Sequence, residues 1–240
     1  MNRILFEEHH PVYSLDPRDP RFEHVRGVLR MREGDSFDVG VINGPVGKAT
    51  IDSLDKERMN ISVEWGERPP VPPPVYLIVG MCRPATARKI LTTAPTLGVR
   101  GIVFSGTGRS DPAYGLSSLW TTGESRQRLI EGAEQAFDTF VPDLRVCDDL
   151  HEAADFLKGV VSRCFMLDVY EGARPLSSIQ FQKEEPVCLA VGPERGWNTN
   201  DRTLMRENGF ELVSLNDRVL RVETAVTVGL TLMLAGKGVY

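Results

Sequence analysis

The sequence predicts an α/β protein, with a parallel sheet in its C-terminal part and a small β-barrel before it. From Val75 onwards, short apolar runs alternate with helical patterns, which is typical of a parallel sheet built from βα repeats. Before Trp65, several short segments alternate polar and apolar residues, which favours a barrel. Five prolines within 69–74 separate these parts as an extended spacer. We therefore predict domains at 1–68 and 76–240, joined by a linker at 69–75.

The first domain begins with a predicted helix over Arg21–Gly34. Its apolar residues fall on one stripe, which leaves Arg26 and Arg30 four positions apart on one face. Two guanidinium groups in that arrangement could hold adjacent phosphates, and Arg32 is a further candidate for such contacts. The alternative is a solvated helix face on which the arginines pair with neighbouring glutamates, Glu23 and Glu33.

Three alternating segments then predict the strands of the barrel. They cover Asp35–Ile42, Gly47–Leu54 and Arg58–Trp65, and Asn43-Gly44 supplies a turn signal between the first two.

The second domain is predicted as strands that alternate with helices. Buried strands are expected over Val75–Met81, Gly101–Ser105, Leu144–Cys147 and Cys164–Val169. The helices between them are expected over Thr86–Leu97, which Pro95 must kink or end, Ser117–Phe137 and Leu150–Leu157.

Two loops between Val187 and Glu223 hold the candidate functional residues. The buried run Val187–Val191 leads into the first loop, Gly192–Trp197, at the end of a strand where open α/β sheets bind ligands. Asn198 predicts the cap of a helix that runs to about Asn208, and Phe210–Leu215 returns as a strand. The second loop follows, and a last helix is expected to begin near Val222.

Composition limits the classes of function. With 41% hydrophobic and 25% charged residues in 240, the chain is an ordinary globular protein. Its net charge of −5 excludes a surface coated with basic residues, so any RNA site must be a local patch. The sequence has no membrane-length apolar run and no signal peptide core, so we expect a cytoplasmic location.

The cysteine and histidine spacings predict no metal site, and the four cysteines are expected to be buried thiols. The Gly106–Asp111 segment lacks the last glycine of a dinucleotide fingerprint, and no phosphate loop occurs.

Two motifs follow one another in these loops: Gly192-Pro193-Glu194-x-Gly196, then Leu215-x-x-Arg218-x-Leu220-Arg221-x-Glu223-Thr224-Ala225. In order and spacing they resemble those of the bacterial ribosomal RNA methyltransferases that methylate ring N3 of a uridine in small-subunit RNA. The resemblance implies a C-terminal SPOUT domain with a trefoil knot, a PUA-like N-terminal barrel and S-adenosylmethionine as cofactor. It also implies ribosomal RNA, or the small ribosomal subunit, as the partner. The alternative is that both loops are ordinary strand-to-helix turns.

The resemblance also implies roles for individual residues. Arg221 would stabilise the anion that develops on the uracil ring, Glu223 would accept its proton, and Glu194 is a further catalytic candidate. Alternatively, Arg221 and Glu223 pair with one another or cap the last helix. The RNA-binding candidates are Arg83, Lys89 and Arg195 in this domain, and Arg26, Arg30 and Arg32 in the first domain. The cofactor-binding candidates are Leu167, Gly192, Pro193, Glu194, Gly196, Leu215, Asn216, Val219, Leu220 and Thr224.

The sequence departs from the family pattern at Thr96, at Asp138, near which an arginine is missing, and at Arg195, where relatives carry glycine. These departures leave the expected fold and cofactor class intact and bear on which RNA is the target. Two other functions stay open. One is a ribose 2′-O RNA methyltransferase of the same superfamily, and the other is a non-enzymatic RNA-binding protein.

The last predicted helix also bears on assembly. Within Val222–Ala235 the only charged residue is Glu223, and a helix that is apolar all round must be buried on all sides. We therefore expect a homodimer that covers this helix.

Overall fold

The computed structural model describes residues 2–240, which divide into two compact units. The first unit comprises the chain up to Val71 together with Ala133–Val141, and the second comprises Pro72–Gly132 and Pro142–Tyr240. The chain passes from the first unit to the second inside the proline-rich stretch. Ala133–Val141 belongs to the first unit although it is distant in sequence, and no local pattern indicates this.

The first unit contains a five-stranded mixed sheet in the order β1-β3-β4-β5-β2. β1 pairs with β3 in parallel, and the other neighbours are antiparallel. The three predicted strands of this unit are confirmed as β3, β4 and β5. The strands are β1 (Ile4–Phe6), β2 (Val12–Leu15), β3 (Ser36–Val41), β4 (Val46–Leu54) and β5 (Met59–Trp65).

The turn between β3 and β4 holds the returning segment in place. Asn43 adopts a left-handed conformation at the tip, with φ of 55°, and its side-chain oxygen accepts a hydrogen bond from the Val141 N–H at 3.0 Å. The Thr139 hydroxyl donates to the Gly44 carbonyl at 2.9 Å. The Asn-Gly turn that the sequence predicts thus also binds Ala133–Val141 within the first unit.

The predicted helix over Arg21–Gly34 is wrong in its second half. Helix α1 (Pro20–Glu23) runs into a wider π-helical turn at His24–Val28, where the Leu29 N–H donates to the His24 carbonyl at 2.9 Å. Arg30 then takes φ of 55°, which ends the helix. Arg26 and Arg30 therefore do not share a regular helix face, because the wider turn breaks the 3.6-residue period on which that prediction rested.

The second unit is built on a seven-stranded, all-parallel sheet in the order β10-β12-β9-β11-β6-β7-β8. The predicted parallel sheet is confirmed. Only the two-residue β10 was not predicted. The strands are β6 (Val75–Gly80), β7 (Gly101–Ser105), β8 (Asp143–Cys147), β9 (Arg163–Leu167), β10 (Arg174–Pro175), β11 (Val187–Val191) and β12 (Phe210–Ser214).

The helices of this unit follow most of the predictions. The predicted helix over Ser117–Phe137 is interrupted: a 3₁₀ turn at Ser118–Trp120 comes first, and Gly123, with φ of 81°, separates it from α4. Pro95 lies inside the last turn of α2, which continues to Thr96; Leu97 is the C-cap, and Gly98 follows with φ of 78°. The helices are α2 (Pro84–Thr96), α3 (Pro112–Gly115), α4 (Glu124–Gln135), α5 (Leu150–Leu157), α6 (Thr199–Glu207) and α7 (Val222–Gly236).

The predicted start of α6 is confirmed by its cap. The Asn198 side chain accepts a hydrogen bond from the Asp201 N–H at 2.7 Å, and the Asp201 carboxylate accepts one from the Asn198 N–H at 2.9 Å. This reciprocal pair satisfies two backbone donors at the helix N-terminus and fixes the chain as it leaves the first loop.

The cysteines are free thiols: Cys82, Cys147 and Cys188 are buried and Cys164 is half-buried. Within residues 2–240 no cluster of three or more His, Cys, Asp or Glu side chains could hold a metal ion. Over the same residues no helix is long and apolar enough to cross a membrane.

Candidate functional site

A cavity of about 710 Å³ opens at the carboxyl ends of β9, β11 and β12. These three strands end at Leu167, Val191 and Ser214, and because β9 lies between β11 and β12, the loops that follow them meet at one edge of the sheet. That edge is where open parallel sheets bind their ligands. The first turns of α2 and α7 complete the wall of the cavity.

The first motif loop is held by a buried tryptophan. Gly196 has φ of 65°, a left-handed conformation that a residue with a side chain rarely adopts. This conformation lets Trp197 turn inwards, where it is buried and donates from Nε1 to the Leu167 carbonyl at 2.9 Å. The hydrogen bond ties the loop after β11 to the end of β9. The cavity wall is therefore fixed by packing rather than left as a free loop.

Glu194, a catalytic candidate, caps helix α2. Its Oε1 accepts hydrogen bonds from the Arg83 backbone N–H at 3.1 Å and from the Thr86 hydroxyl at 3.2 Å. α2 has no capping side chain of its own at Arg83, so this carboxylate from a distant loop satisfies donors at the helix start. Burial, and then the Glu194 charge, raise the pKa of the nearby Cys82 thiol to about 12, so this cysteine is not a nucleophile.

Glu223 lies in the first turn of α7 and pairs across the cavity wall with Lys89 of α2, at 3.1 Å. The N–H of its own backbone, and then Lys89, hold the pKa of the Glu223 carboxyl below its ordinary value. Arg221 precedes the helix, is exposed and has no ion pair among the described residues. Arg221 and Glu223 form no ion pair with one another within the described residues, where Lys89 holds that carboxylate. The capping alternative is supported for Glu223, whose carboxylate accepts the N–H of its own backbone in the first turn of α7.

A buried ion pair that sequence reasoning missed forms another part of the wall. The Arg202 Nε donates to the Asp168 carboxylate at 2.7 Å, and both side chains are almost fully buried. The other Asp168 oxygen accepts from the Tyr170 and Glu171 backbone N–H groups, both at 2.8 Å. The charge pair thus fixes the turn after β9 against α6. Asp168 lies inside the predicted strand Cys164–Val169, whereas β9 ends at Leu167, so no local pattern indicates this ion pair.

The cavity brings together most of the residues predicted for the site. Arg221, Glu223 and Glu194 line it, as do Arg83 and Lys89 and every cofactor-binding candidate except Thr224. Thr224 is exposed on α7, one residue before Ala225, which does line the cavity. Lining residues that were not predicted include Asp168, Tyr170, Trp197, Arg202 and Arg218.

Four predicted RNA-binding residues do not line this cavity. Arg195 is exposed and has an ordinary negative φ, so the family's glycine position accommodates a side chain here without backbone strain. Arg26, Arg30 and Arg32 lie in the first unit and are exposed. Within residues 2–240 neither Arg26 nor Arg30 makes an ion pair, so the proposed alternative of pairing with Glu23 and Glu33 is not observed.

A second cavity, of about 590 Å³, lies at the carboxyl ends of β7 and β8. It is lined in part by Gly106–Gly108, Ser110 and Asp148–His151, and contains none of the residues of the two motif loops. The first cavity is therefore the candidate site.

Comparison with known proteins identifies the class to which this fold and cavity belong. A family model described as the RNA methyltransferase domain matches residues 69–234. The chain is 31% identical over 246 residues to the ribosomal RNA small subunit methyltransferase E of Treponema pallidum (strain Nichols), with 98% of this chain and 91% of that relative covered. It is 26% identical over 236 residues to the ribosomal RNA small subunit methyltransferase E 1 of Borreliella burgdorferi, with 98% of this chain and 96% of that relative covered.

The chain therefore belongs to the RNA methyltransferase family, and within it to the ribosomal RNA small subunit methyltransferase E proteins. This confirms the resemblance drawn from the two loops. Among solved structures, the fold is similar to that of a ribosomal RNA small subunit methyltransferase E from Neisseria gonorrhoeae bound to S-adenosyl methionine. The TM-score is 0.81 at 22% identity, over 98% of this chain and 97% of that one.

Proposed function

We propose that this protein transfers a methyl group from S-adenosylmethionine to ring N3 of a uridine in small-subunit ribosomal RNA. The observation that carries the proposal is the convergence of both motif loops on one cavity at the carboxyl ends of β9, β11 and β12. Family membership supports ribosomal RNA methylation, and the relative from Neisseria gonorrhoeae, which binds S-adenosyl methionine, supports the cofactor. Ring N3 is inferred from the motif Arg221-x-Glu223-Thr224.

The cavity suits this cofactor in size and in lining. Its volume of about 710 Å³ falls in the range of roughly 300–1,000 Å³ that is usual for small-molecule sites. Gly192 and Gly196 leave backbone groups of the first loop open to a ligand, and Leu215–Leu220 supplies a second stretch of backbone. A Cβ added at Gly192 would lie 3.2 Å from the Gly196 Cα, so the loop is already tight without a side chain. When bound, the cofactor supplies an electrophilic methyl group.

The residues at the cavity divide the remaining chemistry between them. The exposed Arg221 has no ion pair among the described residues, so its guanidinium is free to stabilise negative charge on the uracil ring as the N3 proton leaves. Glu223 has a lowered pKa, so it is ionised at neutral pH and able to accept that proton. The same lowering makes it a weak base. The reaction therefore depends more on Arg221 and on in-line positioning than on the strength of the base.

Glu194 takes a structural part in this proposal. Its carboxylate is occupied by donors at the start of α2, so it positions the loop rather than accepting a proton. Glu194, the third catalytic candidate, thus becomes a positioning residue.

RNA binding is proposed at two places. Arg83 and Lys89 lie at the cavity, and the exposed Arg195 follows Glu194 on the first loop. In the first unit, exposed arginines without ion pairs could neutralise phosphates independently of one another: Arg26, Arg30 and Arg32.

The wider architecture of the family completes the proposal. The curled five-stranded sheet supports a PUA-like barrel over 1–68, followed by the linker 69–75 and a SPOUT domain over 76–240. A trefoil knot is supported by the strand order, in which β11 and β12 lie on either side of β9, and by the packing of α7 against α2 and β11. We also propose a cytoplasmic location, because the proposed substrate is ribosomal RNA.

We propose that a homodimer covers the half-buried face of α7. The helix buries Val226, Leu230 and Met233, while Val228 and Leu232 on its other side are only half-buried. Light scattering at micromolar concentration tests this, and a monomer would refute it.

Isothermal calorimetry with S-adenosylmethionine is the first test of the function. We expect one site per chain, and transfer of a labelled methyl group to small-subunit ribosomal RNA in a second assay. A protein that binds RNA but not the cofactor would favour the non-enzymatic alternative.

A further inference from the structure

Tyr170 is the most exposed aromatic side chain among residues 2–240. The residue is 81% exposed, yet it lines the candidate cavity, in the turn that follows β9. Val219, which is 78% exposed, lines the same cavity from the second motif loop. Two exposed apolar side chains thus stand beside the candidate ligand cavity, where an incoming molecule can cover them.

The ring is carried on a fixed turn rather than on a mobile loop. The Tyr170 N–H donates to Asp168, whose other oxygen is held by the buried Arg202. Glu171 pairs with Arg206 of α6 at 2.6 Å. A Cβ added at Gly172 would lie 2.7 Å from the Ser214 N, so the turn also lies tightly against the end of β12.

The Arg202 guanidinium lies 6.0 Å from the centre of the Tyr170 ring, at the outer limit of a cation–π contact. This contact helps to orient one side of the ring. The turn therefore holds the Tyr170 backbone in a fixed position and presents the ring to solvent at the mouth of the cavity.

We propose that the Tyr170 ring is a stacking platform for an unpaired RNA base at the mouth of the cavity. Single-stranded RNA is recognised largely by stacking of splayed-out bases on aromatic side chains, and the reacting base must leave its helix to reach a methyl donor. This inference rests on the proposed function, since it assumes that RNA approaches the cavity. Tyr170 then acts as a positioning residue for the RNA, and contributes nothing to cofactor binding.

The test compares Tyr170→Ala, Tyr170→Phe and Tyr170→Leu in the full chain. Affinity for a single-stranded oligouridylate is measured by fluorescence anisotropy, and affinity for S-adenosylmethionine by calorimetry. We expect alanine to weaken RNA binding by about 5- to 150-fold, which at 1.4 kcal/mol per tenfold is the roughly 1–3 kcal/mol of a base–aromatic stack. Phenylalanine should stay within about threefold of wild type, because it keeps the ring. Tyr170→Leu should weaken RNA binding about as much as Tyr170→Ala does, because leucine has no ring to stack on.

Tyr240→Ala is the matched control, because Tyr240 is 66% exposed and does not line the cavity. It should leave both affinities unchanged. The proposal is overturned if Tyr170→Leu binds RNA as wild type does, if cofactor affinity falls in parallel with RNA affinity, or if Tyr170→Ala changes only the oligomeric state. If wild type methylates RNA and Tyr170→Ala does so with the same KM, only the stacking role fails. If wild type neither binds nor methylates RNA, the proposed function fails with it.

Discussion

Replacing Glu194 with alanine removes the acceptor that a distant loop supplies to the first turn of α2. Two hydrogen bonds are lost, from the Arg83 N–H at 3.1 Å and the Thr86 hydroxyl at 3.2 Å. Loss of a capping side chain costs about 0.5–2 kcal/mol, and since Glu194 is exposed, water replaces part of the loss. We therefore expect about 1 kcal/mol, which for a protein of this size lowers Tm by roughly 2–4 °C.

Thermal unfolding followed by circular dichroism measures this effect. Glu194→Gln keeps a side-chain oxygen as acceptor and should lose less than alanine. Glu207→Ala is the control, since Glu207 is an exposed carboxylate on α6 and makes no hydrogen bond or ion pair within the described residues. It should not lower Tm.

The competing role for Glu194 makes a different prediction. If Glu194 accepted the substrate proton, replacing it would lower the rate at saturating RNA and cofactor without changing the stability of the fold. If Glu194→Ala unfolds at the wild-type temperature while turnover falls a hundredfold, the capping role is wrong and Glu194 acts in the chemistry.

Three further predictions concern the loops and the first turn of α7. Gly80→Ala should weaken S-adenosylmethionine binding at least tenfold in calorimetry, because the added Cβ would lie 2.8 Å from the Pro193 backbone nitrogen. Gly115→Ala is the control, since Gly115 has open space around it, and should change the cofactor affinity less than twofold. Arg195→Gly should keep the cofactor affinity within about threefold of wild type, well under the 1.4 kcal/mol of a tenfold change, and should weaken RNA binding in filter assays. Cofactor binding that is tenfold tighter would show that Arg195 obstructs the cavity. Because the pKa of Glu223 is lowered in the folded protein, its carboxylate stabilises the fold above the unfolded pKa of about 4.3, and this contribution is lost as the pH falls through the lower folded pKa. The free energy of unfolding of Glu223→Gln, measured in urea, should therefore depend less steeply on pH in the acid range than that of wild type. An unchanged slope would contradict this.

Local patterns predict the elements that contribute most of the cavity. The apolar run at Val187–Val191 is buried throughout as β11, and the capping signal at Asn198 and Asp201 is realised as a reciprocal pair. Both succeed because the information lies within a few residues of sequence. The helix over Arg21–Gly34 fails for a local reason too, since a single π-helical turn destroys the period that the pattern assumes.

Contacts between distant residues could not be predicted in the same way. The sequence places Glu194 in a glycine-rich loop, but only the fold brings its carboxylate to the start of α2. The same holds for Lys89 with Glu223, which are 134 residues apart, and for Arg202 with Asp168. Such pairings depend on which strands become neighbours in the sheet, and periodicity carries no information about strand order.

Nucleoside mass spectrometry of small-subunit ribosomal RNA tests the proposed reaction most directly. The RNA is incubated with the protein and S-adenosylmethionine, digested to nucleosides and compared with RNA treated with Arg221→Ala. We predict that the wild-type protein adds a methyl group to ring N3 of uridine and that the variant, which keeps cofactor affinity, adds far less. A methyl group on a ribose hydroxyl, or no methylation by a protein that binds both cofactor and RNA, would contradict the assignment.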